Sequence, residues 1–194
     1  MANFAEKHPK LMAWIRKGGL FVIFSYVVTF IKMLLLMFLP NLFRGMVGNA
    51  EWLWPNLPVS ILGVKLNLAI IGNAIETDAA GVISGGLAFT LANLATIVIG
   101  ECINFPLQRN VTFKSKGPVV KQIFMHGLAT IAVFLVMNLF TCIWNPVTNS
   151  LIANEGLRNT IQSLVTTLVT GGVAMVIIFA VDNAIFAPGW GEKK

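Results

Sequence analysis

The stretch GLFVIFSYVVTFIKMLLLMFLP, residues 19–40, is an apolar run broken by a single charged residue, Lys32. A helix needs about 20 predominantly apolar residues to cross a hydrocarbon core about 30 Å thick. The run meets that length, and three more segments do so as well: 79–107, 119–144 and 160–186. Across 194 residues the chain is 56% hydrophobic and 11% charged, with mean hydropathy +0.78. Soluble domains carry about 25% charged residues, so this chain lacks the polar surface to coat a soluble globule. The expected fold is an all-α integral membrane protein with four transmembrane helices. The first run exceeds the 7–15 residues of a signal-peptide apolar region and lacks a small-x-small site after it, so it reads as a retained span.

Charge distribution sets the orientation. Lys7, Lys10, Arg16 and Lys17 precede the first span, Arg109, Lys114, Lys116 and Lys121 join the second to the third, and Lys193 and Lys194 close the chain. These ten stand against Arg44, Lys65 and Arg158 on the other side. Cytoplasmic loops collect Lys and Arg, so both termini are expected in the cytoplasm (N-in/C-in). The net charge of +6 is thereby read as topology, and a nucleic-acid partner is not expected. Trp14 and Trp190 fall at the inner interface, and Trp52, Trp54 and Trp144 at the outer one, as two aromatic belts. Cys102 and Cys142 fall near opposite faces, which argues against a disulfide, and no Cys or His spacing suits a metal.

Residues 1–18 form a basic lead-in that reads either as a short helix lying on an anionic leaflet or as plain topology charges. The outer segment 41–78 contains VSILGVKLNLAIIG, too short and too interrupted by Lys65 and Asn67 to span. An interfacial helix, a re-entrant piece and an extended stretch all remain open for it. The tail is 188–194. Each half of the membrane domain, 19–187, has an outward span, an outer loop and an inward span ending in an Asn-bearing segment. INFPLQRNVTF (103–113) closes the first and DNAIFAPGW (182–190) the second. They suggest a parallel two-helix repeat about the membrane normal.

Ionisable groups inside spans cost about 2.5–3.5 kcal/mol each on insertion scales and default to functional candidates. Here they are Lys32, Glu101, His126 and Asp182. Asn93, Gly100, Glu101, Asn104 and Gln108 share one helical face, which must meet protein or a wet cavity. Pro106 predicts a kink at the inner end of that span. Gly81-x-x-x-Gly85 is a weak helix-contact motif. Arg109, with Lys114 and Lys116 near, suits a phosphate through its planar fork or is a snorkelling arginine. Glu101 is a proton carrier, a ligand for sugar hydroxyls, or the partner of Arg109 or Lys32. At 1.5 Å rise per residue, Lys32 is expected roughly 9 Å farther from the inner face than Glu101, so a direct pair needs tilt or snorkelling. Lys32 is otherwise a counter-charge for a phosphate. Asp182 and Asn183 share the depth of Glu101 and Asn104 and complete one polar pocket. His126 is read as an interfacial hydrogen bonder. No nucleophile–base arrangement, Walker loop or dinucleotide motif is present, so neither an enzyme nor a cofactor is expected.

The peptide 103–117, INFPLQRNVTFKSKG, resembles the signature of the GtrA-like family, small four-span proteins whose second span ends near Asn-Phe-x-x-Asn-Arg-x-Trp-x-Phe before basic residues. Asn104, Phe105, Arg109 and Phe113 match, and Gln108 stands for the second Asn. Val111 and Thr112 occupy the place of the aromatic, and DNAIFAPGW lacks the arginine. LFVIFSYVVTFIK and IFMHGLATIAVF look like the family's first and third spans.

The resemblance implies a plasma-membrane protein of cell-surface polysaccharide synthesis that moves a polyprenyl-phosphate-linked sugar. It equally implies one that supports the glycosyltransferase using that lipid, and related spans anchor dolichol-phosphate-mannose-synthase-type enzymes. On that reading Arg109, Lys114 and Lys116 meet the phosphate, and Asn104, Glu101, Gln108, Asp182 and Asn183 meet the glycosyl hydroxyls. Three functions follow as expectations: a flippase-like carrier, a non-transporting scaffold for a glycosyltransferase, and a small proton-coupled exporter. Membrane lipids and an oligomeric partner copy are compatible with all three.

Overall fold

The computed structural model describes residues 7–61, 63–72, 74–77 and 83–191. Four helical stretches are long and apolar enough to cross a membrane: Leu11–Val47, Gly86–Thr112, Val119–Leu151 and Gly156–Ile185. The chain is therefore a mostly helical, multi-pass membrane protein. Lys193, Lys194 and Gly81 lie outside the described residues.

Helix α1, Pro9–Val47, begins with Pro9 in its first turn, where a missing N–H breaks no intrahelical bond. It runs through Pro40 and stops at Gly48, whose φ of 70° suits glycine and whose N–H caps the Arg44 carbonyl at 2.9 Å. Its 39 residues give a rod about 58 Å long, well beyond a hydrocarbon core. From Pro9 onward the lead-in is continuous with the span, so of its two readings the separate surface helix is not what forms. Trp14 packs edge-on to Phe179 with ring centroids 5.5 Å apart, so the lead-in lies against the last span.

The outer segment is extended. Strand β1 (Leu57–Ile61) pairs antiparallel with β2 (Val64–Leu68), with Leu57 opposite Leu68 and Ile61 opposite Val64. Gly63 in the connection has φ +81°. In β2, Leu66 is buried while its neighbours Lys65 and Asn67 are exposed, the two-residue alternation of a half-buried strand. A second short pair, β3 (Glu76–Thr77) and β4 (Ile83–Ser84), leads into the second span.

Helix α2, Gly86–Leu107, starts seven residues later than the sequence suggested, because the chain before it is committed to β4. Gly86 has φ +70°, and a Cβ there would sit 2.8 Å from the Ala50 carbonyl, so the strand-to-helix corner is built for glycine. At the other end Pro106 withholds an N–H. The helix answers by widening into a π-turn over Gln108–Thr112, closed by Phe113 N–H to the Gln108 carbonyl at 2.9 Å. The expected kink is thus a change of helical pitch.

Helix α3, Val119–Leu151, passes through Pro146 and ends seven residues beyond the expected 144. The last span comprises α4 (Glu155–Thr166), a π-helical stretch Thr167–Val173 containing Gly171 and Gly172, and α5 (Ala174–Ile185).

The hairpin is tied to α3 by side chains of that helix. Asn138 Nδ2 donates to the Ile70 carbonyl at 2.9 Å, Cys142 Sγ donates to the Asn67 carbonyl at 3.0 Å, and the Ala69 N–H donates to the same sulfur at 3.2 Å. At the opposite end of the bundle, Phe21, Phe105, Phe113, Ile185 and Phe186 form the buried core, with Phe179 and Trp190 against it. Lipid is as apolar as these rings, so the cluster holds by close packing rather than by water exclusion. Lys17 lies 5.8 Å over the Phe113 ring, and Lys121 Nζ donates to the Gly191 carbonyl at 2.9 Å. The start of α1, the loop 113–118 and the tail therefore gather at one end, as four spans require.

Candidate functional site

Each of the four spans contributes one ionisable side chain to a single network, half-buried at Lys32 and Glu101 and buried at His126 and Asp182. Lys32 on α1 donates from Nζ to Glu101 Oε1 on α2 at 2.7 Å. The other oxygen of Glu101, Oε2, is 3.0 Å from His126 Nε2 on α3. His126 Nδ1 is 2.7 Å from Asp182 Oδ1 on α5. Asn104 Nδ2 donates to Glu101 Oε2 at 3.1 Å. Gln108 then donates to Asn104 Oδ1 at 3.2 Å and to the Phe21 carbonyl at 3.3 Å, and Thr112 Oγ1 donates to Gln108 Oε1 at 2.8 Å. Helical spacing explains the second set: Asn104, Gln108 and Thr112 stand four residues apart on one face.

The offset expected between Lys32 and Glu101 is closed by the lysine's own reach. Its stem lies across Gly100, and a Cβ at that position would run into Lys32 Cδ and Cε. Gly100 is therefore the vacancy through which the ammonium reaches the carboxylate. His126, read from sequence as an interfacial group, is instead the buried bridge of the network, 2% exposed, with the Phe105 and Phe186 rings at 5.4 and 6.4 Å. The sequence signal is only that Gln122 and His126 stand four residues apart on one face of α3; the structure buries both.

Proton bookkeeping follows from the contacts. A short N···O approach between two acceptors needs one hydrogen between them. His126 makes two such contacts, so Glu101, His126 and Asp182 together need at least two protons, and with two they carry one net negative charge. The Lys32 ammonium cancels it, which leaves a four-helix cluster with no net charge in a setting where an unpaired ion is expensive.

One cavity borders this network, and a second lies farther along the bundle. The first, of about 300 Å³, is walled by all four spans and lined by Ser25, Thr29, Lys32, Glu101, Asn104 and Thr130 among apolar neighbours. The side chains of Lys32 and Glu101 remain 26% and 22% accessible, so the ion pair is open to it. A wider one of about 870 Å³ lies under the hairpin, with Glu51, Lys65, Asn67 and Asn145 in its wall. Along α2, Phe89 lines the cavity under the hairpin and Ile97 the one within the bundle, and along α3 the corresponding pair is Cys142 and Met137. Thr96, with a buried hydroxyl that finds no hydrogen-bond partner among the described residues, lies on α2 in the interval between them.

Comparison with protein-family models, with curated proteins and with solved structures finds no match to this chain. The GtrA-like resemblance therefore rests on the sequence alone: the 103–117 peptide, with Asn104, Phe105, Arg109 and Phe113, and the stretches 20–32 and 123–134.

Of the residues singled out from sequence, Lys32, Glu101, Asn104, Gln108 and Asp182 meet in the network. Asn183 enters none of its hydrogen bonds. Arg109 belongs to a separate assembly and does not pair with Glu101. Its Nε donates to Gln122 Oε1 at 2.8 Å, Nη1 to Asn110 Oδ1 at 2.8 Å and Nη2 to the Gly117 carbonyl at 3.0 Å. Gln122 Nε2 continues to Ser115 Oγ at 2.8 Å and to the Ile185 carbonyl at 3.0 Å. The arginine thus clamps the loop 113–118 to α3 and, through Gln122, to the end of α5. Lys114, at φ 51°, and Lys116 are exposed on that loop.

Proposed function

We propose that this protein carries a polyprenyl-phosphate-linked sugar across the plasma membrane for cell-surface polysaccharide or glycan synthesis. The observation that supports this reading best is the cavity of about 300 Å³ inside the bundle, with the Lys32–Glu101 ion pair in its wall. Ligand pockets start at about this size, and this one offers an ammonium for a phosphate and hydroxyl or amide groups for a sugar. The headgroup's phosphate displaces Glu101 from Lys32. Ser25, Thr29, Asn104 and Thr130 hydrogen-bond the glycosyl hydroxyls, while the polyprenyl tail stays in lipid. The positive-inside rule supports cytoplasmic termini. On that orientation Lys114 and Lys116 draw anionic headgroups towards the bundle, and Arg109 holds their loop in shape. The same exposed lysines offer a docking point for a membrane glycosyltransferase that uses the product.

The test is reconstitution in liposomes with a labelled polyprenyl-phosphate sugar. Wild type is expected to move the lipid between leaflets, Lys32→Met and Glu101→Gln to slow it at least tenfold, and Lys114→Ala/Lys116→Ala to retain most of the rate. Movement no faster than in empty vesicles removes the carrier reading. Loss of glycosyltransferase binding in the loop variant, with no lipid movement by wild type, establishes the scaffold in its place.

A further inference from the structure

We infer that binding of an anionic headgroup at Lys32 draws one proton onto the Glu101–His126–Asp182 triad, so that the loaded carrier is electrically neutral. This deepens the carrier reading and rests on it. The geometry carries the inference in three steps.

First, the empty site is balanced with the two protons that the contacts to His126 need, because Lys32 cancels the remaining negative charge. Second, a phosphodiester brings one fixed negative charge and takes the ammonium for itself. Glu101 Oε1 then loses its donor, and the triad is left with a negative charge and no cation.

The other charged groups nearby are committed elsewhere. On α1, Lys17 lies over the Phe113 ring. Beyond the end of α2, Arg109 is held by Gln122, Asn110 and Gly117, and on α3 Lys121 bonds the Gly191 carbonyl. Among the described residues, Lys32 is thus the cation that contacts the triad. Third, leaving a charge uncompensated inside a bilayer is costly, and one added proton removes it.

The relay for that proton is in place. Asp182 Oδ2 is buried without a hydrogen-bond partner among the described residues, and Glu101 Oε1 becomes free when the phosphate arrives. The proton is taken up at Glu101, which lines the cavity, and the two His126 contacts link that carboxyl to Asp182. Only N–H and O–H bonds form and break, and the triad gains one proton in total. On release, Lys32 returns to Glu101 and expels it, so one proton accompanies each headgroup.

The experiment uses the detergent-solubilised full-length protein and farnesyl-phosphoryl-glucose, a diester whose charge does not change near neutral pH. Uncharged farnesyl glucoside is the control. Binding heats are measured at pH 7.5 in two buffers of different ionisation enthalpy, which gives the protons exchanged per ligand. About one proton taken up per phosphodiester, and none for the glucoside, is expected from linkage. Asp182→Asn and His126→Gln are each expected to bind the diester with less than half that uptake. Wild-type binding with no buffer-dependent heat overturns the proton link and leaves the carrier reading standing. No binding at all overturns both. Should either variant fail to fold, the wild-type proton count decides alone.

Discussion

Replacing Gly100 with alanine adds one methyl group, at a position where it collides with the Lys32 stem. Lysine must then leave Glu101, and with it goes a charge-assisted hydrogen bond of 2.7 Å. Such bonds contribute about 1.5–3 kcal/mol, and alanine returns roughly 0.5–1 kcal/mol over glycine in a helix interior. The net expectation for Gly100→Ala is a loss of about 0.5–2.5 kcal/mol. In a Lys32→Met background the ion pair is already gone and the flexible methionine yields space. There the same substitution is expected to be neutral, or stabilising by up to about 1 kcal/mol. The double-mutant cycle, read by SDS titration of the purified protein in mixed micelles, isolates the coupling between the two positions. An equal cost in both backgrounds would show that the lysine does not cross Gly100, and the cluster as described would be wrong.

Arg109→Ala removes three hydrogen bonds from the loop clamp and should destabilise the protein by about 2 kcal/mol. Faster proteolysis between residues 113 and 118 is the readout, and Arg109→Lys should not rescue it because a point charge cannot span three acceptors. Cys142→Ala cuts two ties between the hairpin and α3, so amide exchange at residues 64–70 should quicken, whereas Cys102→Ala, at an exposed position, should leave it unchanged. An impermeant thiol reagent applied outside intact cells should label a cysteine at Lys65 and spare one at Lys116, and the reverse pattern would invert the orientation.

Much of this was legible in the chain because membrane crossing leaves a coarse mark. Residues 19–40 and 119–144 announce spans by length and hydropathy, and Glu101, Asn104 and Gln108 announce a protected face by their spacing. Boundaries were less legible: α1 and α3 each run seven residues past the apolar edge, at 47 and 151, since helix geometry outlasts hydrophobicity. The outer segment read ambiguously because Val64-Lys65-Leu66-Asn67-Leu68 is too short for any period to dominate. What resolved it was pairing with 57–61, a non-local fact. His126 was undervalued for a similar reason. Its two partners are 25 and 56 residues away in sequence, and nothing local reveals that it bridges them. Arg109 reads from sequence as a phosphate ligand or a snorkelling arginine, and its clamp role was not legible because its acceptors Gln122 and Gly117 are supplied by the returning chain.

The central claim, that the phosphate of a lipid-linked sugar rests on Lys32 within the bundle, has a direct spectroscopic test. Protein carrying ¹⁵N-labelled lysine side chains is placed in bilayers with farnesyl-phosphoryl-glucose, and dipolar coupling between phosphorus and lysine nitrogen is measured in the solid state. One lysine amine coupled to phosphorus, with the coupling abolished in Lys32→Met and unchanged in Lys114→Ala/Lys116→Ala, is the predicted result. Coupling that survives Lys32→Met and disappears with the loop lysines would contradict it.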